Sequence, residues 1–123
     1  MPRGEHPLEV TAESDGGVAV VVVRGSLYAD HADELRDVFA RLLADGNHNF
    51  VVDLTDVWVV DGAGLAVLVG LFKRVRIGPG DVRLCGLQTW VTVVFAMTRL
   101  NLVFQVFENR AAALASFRTA VAG

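Results

Sequence analysis

Hydrophobic residues along this chain fall into short β-branched runs and longer runs at helical spacing, and the two kinds alternate. Leu8 to Glu13 reads as a short strand, Gly16-Gly17 as a hairpin turn, and Val18 to Arg24 as a buried strand rich in valine. Leu35, Val38, Phe39 and Leu42 share one stripe of a helix expected from about His31 to Asp45. Asp33, Glu34, Arg36, Asp37 and Arg41 fill its other side, with Asp30 as cap and Gly46 as stop. Phe50 to Leu54 is the next strand, followed by a turn that Asp53 and Asp56 fix through backbone hydrogen bonds. Asp61 then caps a helix to about Arg76, which Gly78-Pro79-Gly80 ends. A strand at Asp81–Cys85, a helix at Gln88–Thr98, a strand at Val103–Phe107 and a helix capped by Asn109 and running to about Val121 complete the pattern.

Strands alternating with helices imply an α/β domain: a mixed, mostly parallel sheet with an antiparallel N-terminal hairpin and about four helices. Residues 1–7 read as a flexible lead and 8–121 as one domain. A chain of 123 residues is long enough to bury a full core. With one cysteine, Cys85, it forms no internal disulfide, which suits a reducing compartment. MPRGEHP lacks the apolar core of a signal peptide, and neither Gly62–Phe72 nor Leu84–Thr98 is long and clean enough to span a bilayer. A cytoplasmic protein without membrane insertion is expected. Net charge is −3 and no basic stripe appears, which argues against nucleic-acid binding.

The apolar content, 53% before glycine is counted, exceeds what one core needs. Helix faces suggest where the excess goes. Around the helix from Gln88, Val91, Val94, Phe95 and Thr98 form a core stripe, while Trp90, Val93 and Met97 form a second, uncharged one. In the preceding helix Leu65, Leu68, Phe72 and Val75 face one way, and Val67 and Leu71 lie to the side. The second faces are expected to bury against another chain, a homodimer or a heterocomplex, unless the domain folds its own tails over them.

Val51 to Leu65, VVDLTDVWVVDGAGL, is the most informative stretch. An acidic cap, two glycines and a small residue open a helix whose N-terminal N–H groups have little side-chain cover. With the glycine-stopped helix before it and RLCGLQTWVTVVFAMTRLNLVFQVF after it, this stretch resembles the STAS family, and within it the bacterial anti-sigma-factor antagonists. The resemblance spans about Leu8 to Val121 and is most specific at Asp61-Gly62-Ala63-Gly64-Leu65. It implies a STAS-like fold and a partner that is an anti-sigma factor, often also a serine kinase of the histidine-kinase-like ATPase fold. The family pattern there is Asp-Ser-Ser/Thr-Gly-Leu, with phosphorylation on the hydroxyl before the glycine. This chain has Ala63 at that position and Gly62 before it, so the resemblance implies docking without this phosphorylation switch. It also has Gly25-Ser26-Leu27-Tyr28 where the family carries Gly-Glu-Leu-Asp, and Trp58 where a small or polar residue is usual.

Ser26, Tyr28, Trp58, Asp61, Gly62, Ala63, Gly64 and Leu65 are therefore the candidate partner-binding residues, with Trp90, Val93 and Met97 as a possible second interface. The plainer reading is that Asp61 only caps a helix and the glycines only permit tight packing. Other chemistry finds little support. His6, His31 and His48 have no metal-ligand spacing, and Cys85 sits in an apolar strand as a small core residue. Asp53, Asp56 and Asp61 could in principle hold Mg²⁺, although turn-fixing suits the first two better. No GxGxxG or Walker loop is present, and no cofactor or catalysis is expected. Two alternatives stay open: a stand-alone STAS subunit of an ABC-type transport complex, and a small-ligand or nucleotide sensor using the helix start.

Overall fold

The computed structural model describes residues 8–122; the flexible segment expected at 1–7 lies outside the described residues. The elements run β1 (Glu9–Asp15), β2 (Val18–Leu27), α1 (Ala29–Ala44), β3 (Asn49–Val60), α2 (Gly62–Ile77), β4 (Asp81–Cys85), α3 (Thr89–Met97), the 3₁₀ turn η1 (Leu100–Leu102), β5 (Gln105–Phe107) and α4 (Arg110–Ala122). The strands form one sheet in the order β1-β2-β3-β4-β5, antiparallel between β1 and β2 and parallel elsewhere. Gly16 and Gly17 make the hairpin turn at φ +60° and +86°, a left-handed conformation that a side chain would disfavour.

The two sheet faces are unequally covered. On one, α1, α2 and α3 enclose the main core, which includes Val21, Val23, Leu35, Phe39, Phe50, Val52, Leu68, Leu84 and Phe95. On the other, Val18, Val20, Val51 and Cys85 pack against Ala113, Leu114 and Phe117 of α4. Asn109 caps α4 as expected, accepting from the Ala112 N–H at 2.9 Å. Polar anchors fasten this helix as well. Asp53 takes a hydrogen bond from Arg110 at 3.3 Å, and Arg83 donates to Ser116 at 2.7 Å while lying 4.0 Å over the Phe117 ring.

The expected turn after Leu54 is instead a continuation of β3 to Val60. Pairing with β2 slips twice along it: Val22 lies opposite Asp53, Arg24 opposite Asp56 and Leu27 opposite Val60. Each slip is a bulge that adds one residue to β3. Asp53 does fix the backbone locally, accepting from the Thr55 N–H at 3.0 Å and its hydroxyl at 2.6 Å. Leu54, Val57 and Val60 therefore all pack on the main core although they are three apart, which an unbroken strand of period two could not achieve.

Three other expectations need correction. Asp30 does not cap α1: Tyr28 holds the cap position without a side-chain bond, and the helix begins at Ala29. The lateral face of α2 needs no other chain, because Val67 and Leu71 are buried and line, with Phe39 and Leu43 of α1, the seam between the two helices. The last strand is also shorter than expected, because Leu100–Leu102 turns into η1 before β5 begins at Gln105.

Candidate functional site

Parallel strands β2 and β3 end side by side, and the chain leaves each into a helix, so α1 and α2 start next to one another. Asp61 joins the two starts. Its backbone N–H donates to the Leu27 carbonyl at 3.2 Å, one carboxylate oxygen accepts from the Gly64 N–H at 3.0 Å, and the other accepts from the Ala29 N–H at 3.0 Å. One side chain thus serves as cap for both helices, which explains why α1 starts without a cap of its own. The hydrogen bond from Gly64 is the largest influence on the Asp61 carboxyl; with that from Ala29 it outweighs desolvation and holds the group below the usual aspartate range.

Around this pivot the predicted residues separate into two sets. Tyr28 and Trp58 are exposed, at 44% and 52%, and Gly62 is open, with nothing within 4 Å of where a Cβ would stand. Ser26, Asp61 and Ala63 are half-buried. Gly64 and Leu65 are buried, so of the two glycines that open the helix only Gly62 leaves its start without side-chain cover. A Cβ on Gly64 would stand 2.5 Å from the Leu27 carbonyl oxygen and 2.7 Å from Leu27 Cγ, so this glycine lets α2 seat against β2. Leu65 belongs to the main core. The surface is therefore a low lip of Gly62 and Ala63, with exposed aromatic residues on the chain entering α1 (Tyr28) and on β3 three residues before Asp61 (Trp58).

The second candidate surface is where helical periodicity placed it. Val91 and Phe95 of α3 are buried, whereas Trp90, Val93 and Met97 are exposed at 55%, 39% and 73%. The three carboxylates considered for Mg²⁺ have separate partners: Asp53 with Arg110, Asp56 with Arg24 and Asp61 with the two helix starts. Among the described residues no group of three His, Cys, Asp or Glu side chains is arranged to hold a metal ion, and no helix is long and apolar enough to cross a membrane.

Burial pushes the Cys85 thiol up to about 12, with the Asp53 charge adding to the effect. At pH 8 the folded protein is expected to resist alkylation by iodoacetamide, and urea-unfolded protein to react fully; intact mass reads both results.

Some elements of the site had no local signal. The second hydrogen bond of Asp61 crosses to a residue 32 positions earlier, and the fit of Gly64 depends on Leu27 and Val60, which only the folded sheet brings near. In comparison with known proteins, the STAS domain model matches residues 9–113. The chain belongs to the STAS domain family. A Bordetella bronchiseptica relative named as an anti-sigma factor antagonist, BtrV, is 28% identical over 93% of this chain and 98% of its own length. The crystal structure of an anti-sigma factor antagonist from Mycobacterium paratuberculosis superposes with a TM-score of 0.83 at 22% identity, covering 90% of this chain and 94% of that one. A sulfate transporter family protein from Wolinella succinogenes has the same fold, with a TM-score of 0.77 at 18% identity over 90% of this chain and 93% of that one. At such identities the structural likenesses show a shared STAS fold and nothing finer.

Proposed function

We propose that this STAS domain is an anti-sigma factor antagonist that docks an anti-sigma factor of the histidine-kinase-like ATPase fold on the lip formed by Gly62 and Ala63, flanked by Ser26, Tyr28, Trp58 and Asp61. The observation that carries this reading is the open helix start at Gly62, with exposed Tyr28 and Trp58 on the segments that lead into α1 and α2. Such a surface offers backbone and apolar contact at its centre, and large aromatic side chains are common binding anchors. The name carried by the Bordetella relative, aligned over nearly the whole chain, supports the same reading.

Regulation follows from Ala63. A phosphate in this position would add nearly two negative charges to a docking face, and alanine cannot accept one. The domain is constitutively competent to dock, and its control lies in expression or in the partner. Incubation with the partner kinase and ATP is expected to leave the intact mass unchanged.

The decisive substitution is Ala63→Glu, measured by calorimetry against the purified anti-sigma partner. A carboxylate in the first turn of α2 suits the helix dipole, so the fold should tolerate it. Buried without a counter-charge in an interface, it is expected to weaken binding at least about tenfold. Unchanged affinity would move the docking surface elsewhere.

A further inference from the structure

Among the described residues the two edges of the sheet are unpaired, and they differ in a way that bears on self-association. β1 carries Glu9, Glu13 and Asp15 within one short strand, Glu13 paired with Arg110 and Asp15 with Arg118, so a second copy approaching that edge would have to desolvate ionised groups. β5, at the other margin, is Gln105-Val106-Phe107, with no charge at all. The chain leading into it is similar: from Thr89 to Phe107 the single charged residue is Arg99.

Apolar exposure concentrates in this same stretch. Trp90, Val93 and Met97 of α3 are followed by Leu102 at 76%, Val103 at 43% and Val106 at 42%. If such side chains present about 150–250 Å² each when free, these six expose on the order of 500 Å² or more. That is as large as the whole greatest patch of a typical monomer and a major part of the roughly 800 Å² per partner that a stable dimer buries.

We infer that a second copy of this chain docks here, joining β5 to β5 about a two-fold axis and burying the α3–η1 side chains beside the new strand pair. A two-fold axis at Val106 sets Gln105 of each copy opposite Phe107 of the other, with no ionised side chain in the paired segment. Self-pairing satisfies an unpaired strand edge and covers uncharged surface with surface of the same kind. The Asp61 lip, on β2, β3 and their helices, stays free in this arrangement, so the dimer presents two docking sites.

Sedimentation velocity of the full chain from about 1 to 500 µM is the test. The expected result is a species of twice the 13.2 kDa chain mass at the upper concentrations. Val106→Glu and, separately, Leu102→Glu are expected to raise the dimer dissociation constant at least about tenfold, since each places a charge twice in the two-fold interface. Both positions are exposed, and a circular-dichroism melt verifies that each variant folds. Amide exchange at Val106, whose N–H points away from β4, should slow as wild-type concentration rises. A chain that remains at 13.2 kDa throughout, or a dimer that both glutamates leave intact, overturns the inference. Ala63→Glu should dimerise normally, which separates this result from the fate of the proposed docking site.

Discussion

Gly64→Val is expected to lower the stability of the domain by about 3 kcal/mol, near the upper end of ordinary overpacking. The added Cβ would start 2.5 Å from the Leu27 carbonyl oxygen, and Val60 Cγ2 stands only 3.0 Å away on another side. Neither neighbour can retreat cheaply. The Leu27 carbonyl also accepts the Asp61 N–H, and Val60 packs on the main core. Relief therefore requires α2 to lift from the sheet and give up part of the contact made by Leu65 and Leu68. Urea unfolding should show a lower midpoint with an unchanged slope. Gly62→Ala, two residues earlier, is the control. Its Cβ would meet open space at the start of a helix, so it should change stability little or raise it by up to about 1 kcal/mol. Equal losses at the two positions would contradict the tight seating assigned to Gly64.

Asp61→Ala should cost about 2 kcal/mol, because it removes the cap of two helices where an ordinary cap deletion removes one, at about 1 kcal/mol each. Asp61→Asn divides the two roles. Its single amide oxygen can still accept from the Gly64 N–H, but its NH₂ would face the Ala29 N–H, donor against donor, so about half the loss should return. The sign of the pH effect follows from the direction of the shift. The folded carboxyl lies below its ordinary value, so its contribution is whole above about pH 4 and is lost as the pH falls through the lowered folded value. Asp53 is lowered too: burial would raise it, but the hydrogen bonds from Thr55 and Arg110 outweigh that, and its contribution disappears in the same acid range. Asp61→Asn should flatten part of the acid limb of stability against pH and leave the Asp53 part. An acid limb identical to wild type would mean that Asp61 is not held by the two helix starts.

These effects show which features a sequence can expose and which it cannot. Helix stripes are local: the exposed row Trp90, Val93, Met97 and the buried pair Val91 and Phe95 follow from spacing alone. The Asp61 cap of α2 is local as well, three residues from its donor, and it was legible. Its reach to Ala29 was not, because Asp30 looks like the natural cap of α1 and only tertiary placement rules it out. Val67 and Leu71 looked like a face in need of another chain, since nothing along α2 announces that α1 will lie against them. Gly64 and Leu65 formed one motif with Gly62 and Ala63 in sequence, but an α-helix turns successive residues inward and outward. That separates the lip from the packing beneath it.

The paired bulges of β3 put a parity rule on this part of the chain. Between Asp53 and Val60 the strand carries two residues more than the stretch of β2 it follows, an even surplus that keeps inward and outward positions in phase at its end. Flattening the first bulge with its residue retained would invert the phase downstream, sending Val57 to solvent and Trp58 into the interior. Flattening both with their residues retained would restore the phase at Val60 but carry Asp61 about 7 Å past the place where it now meets two helices. The strand can therefore give up a bulge only together with the residue that forms it, singly because of direction and in pairs because of reach.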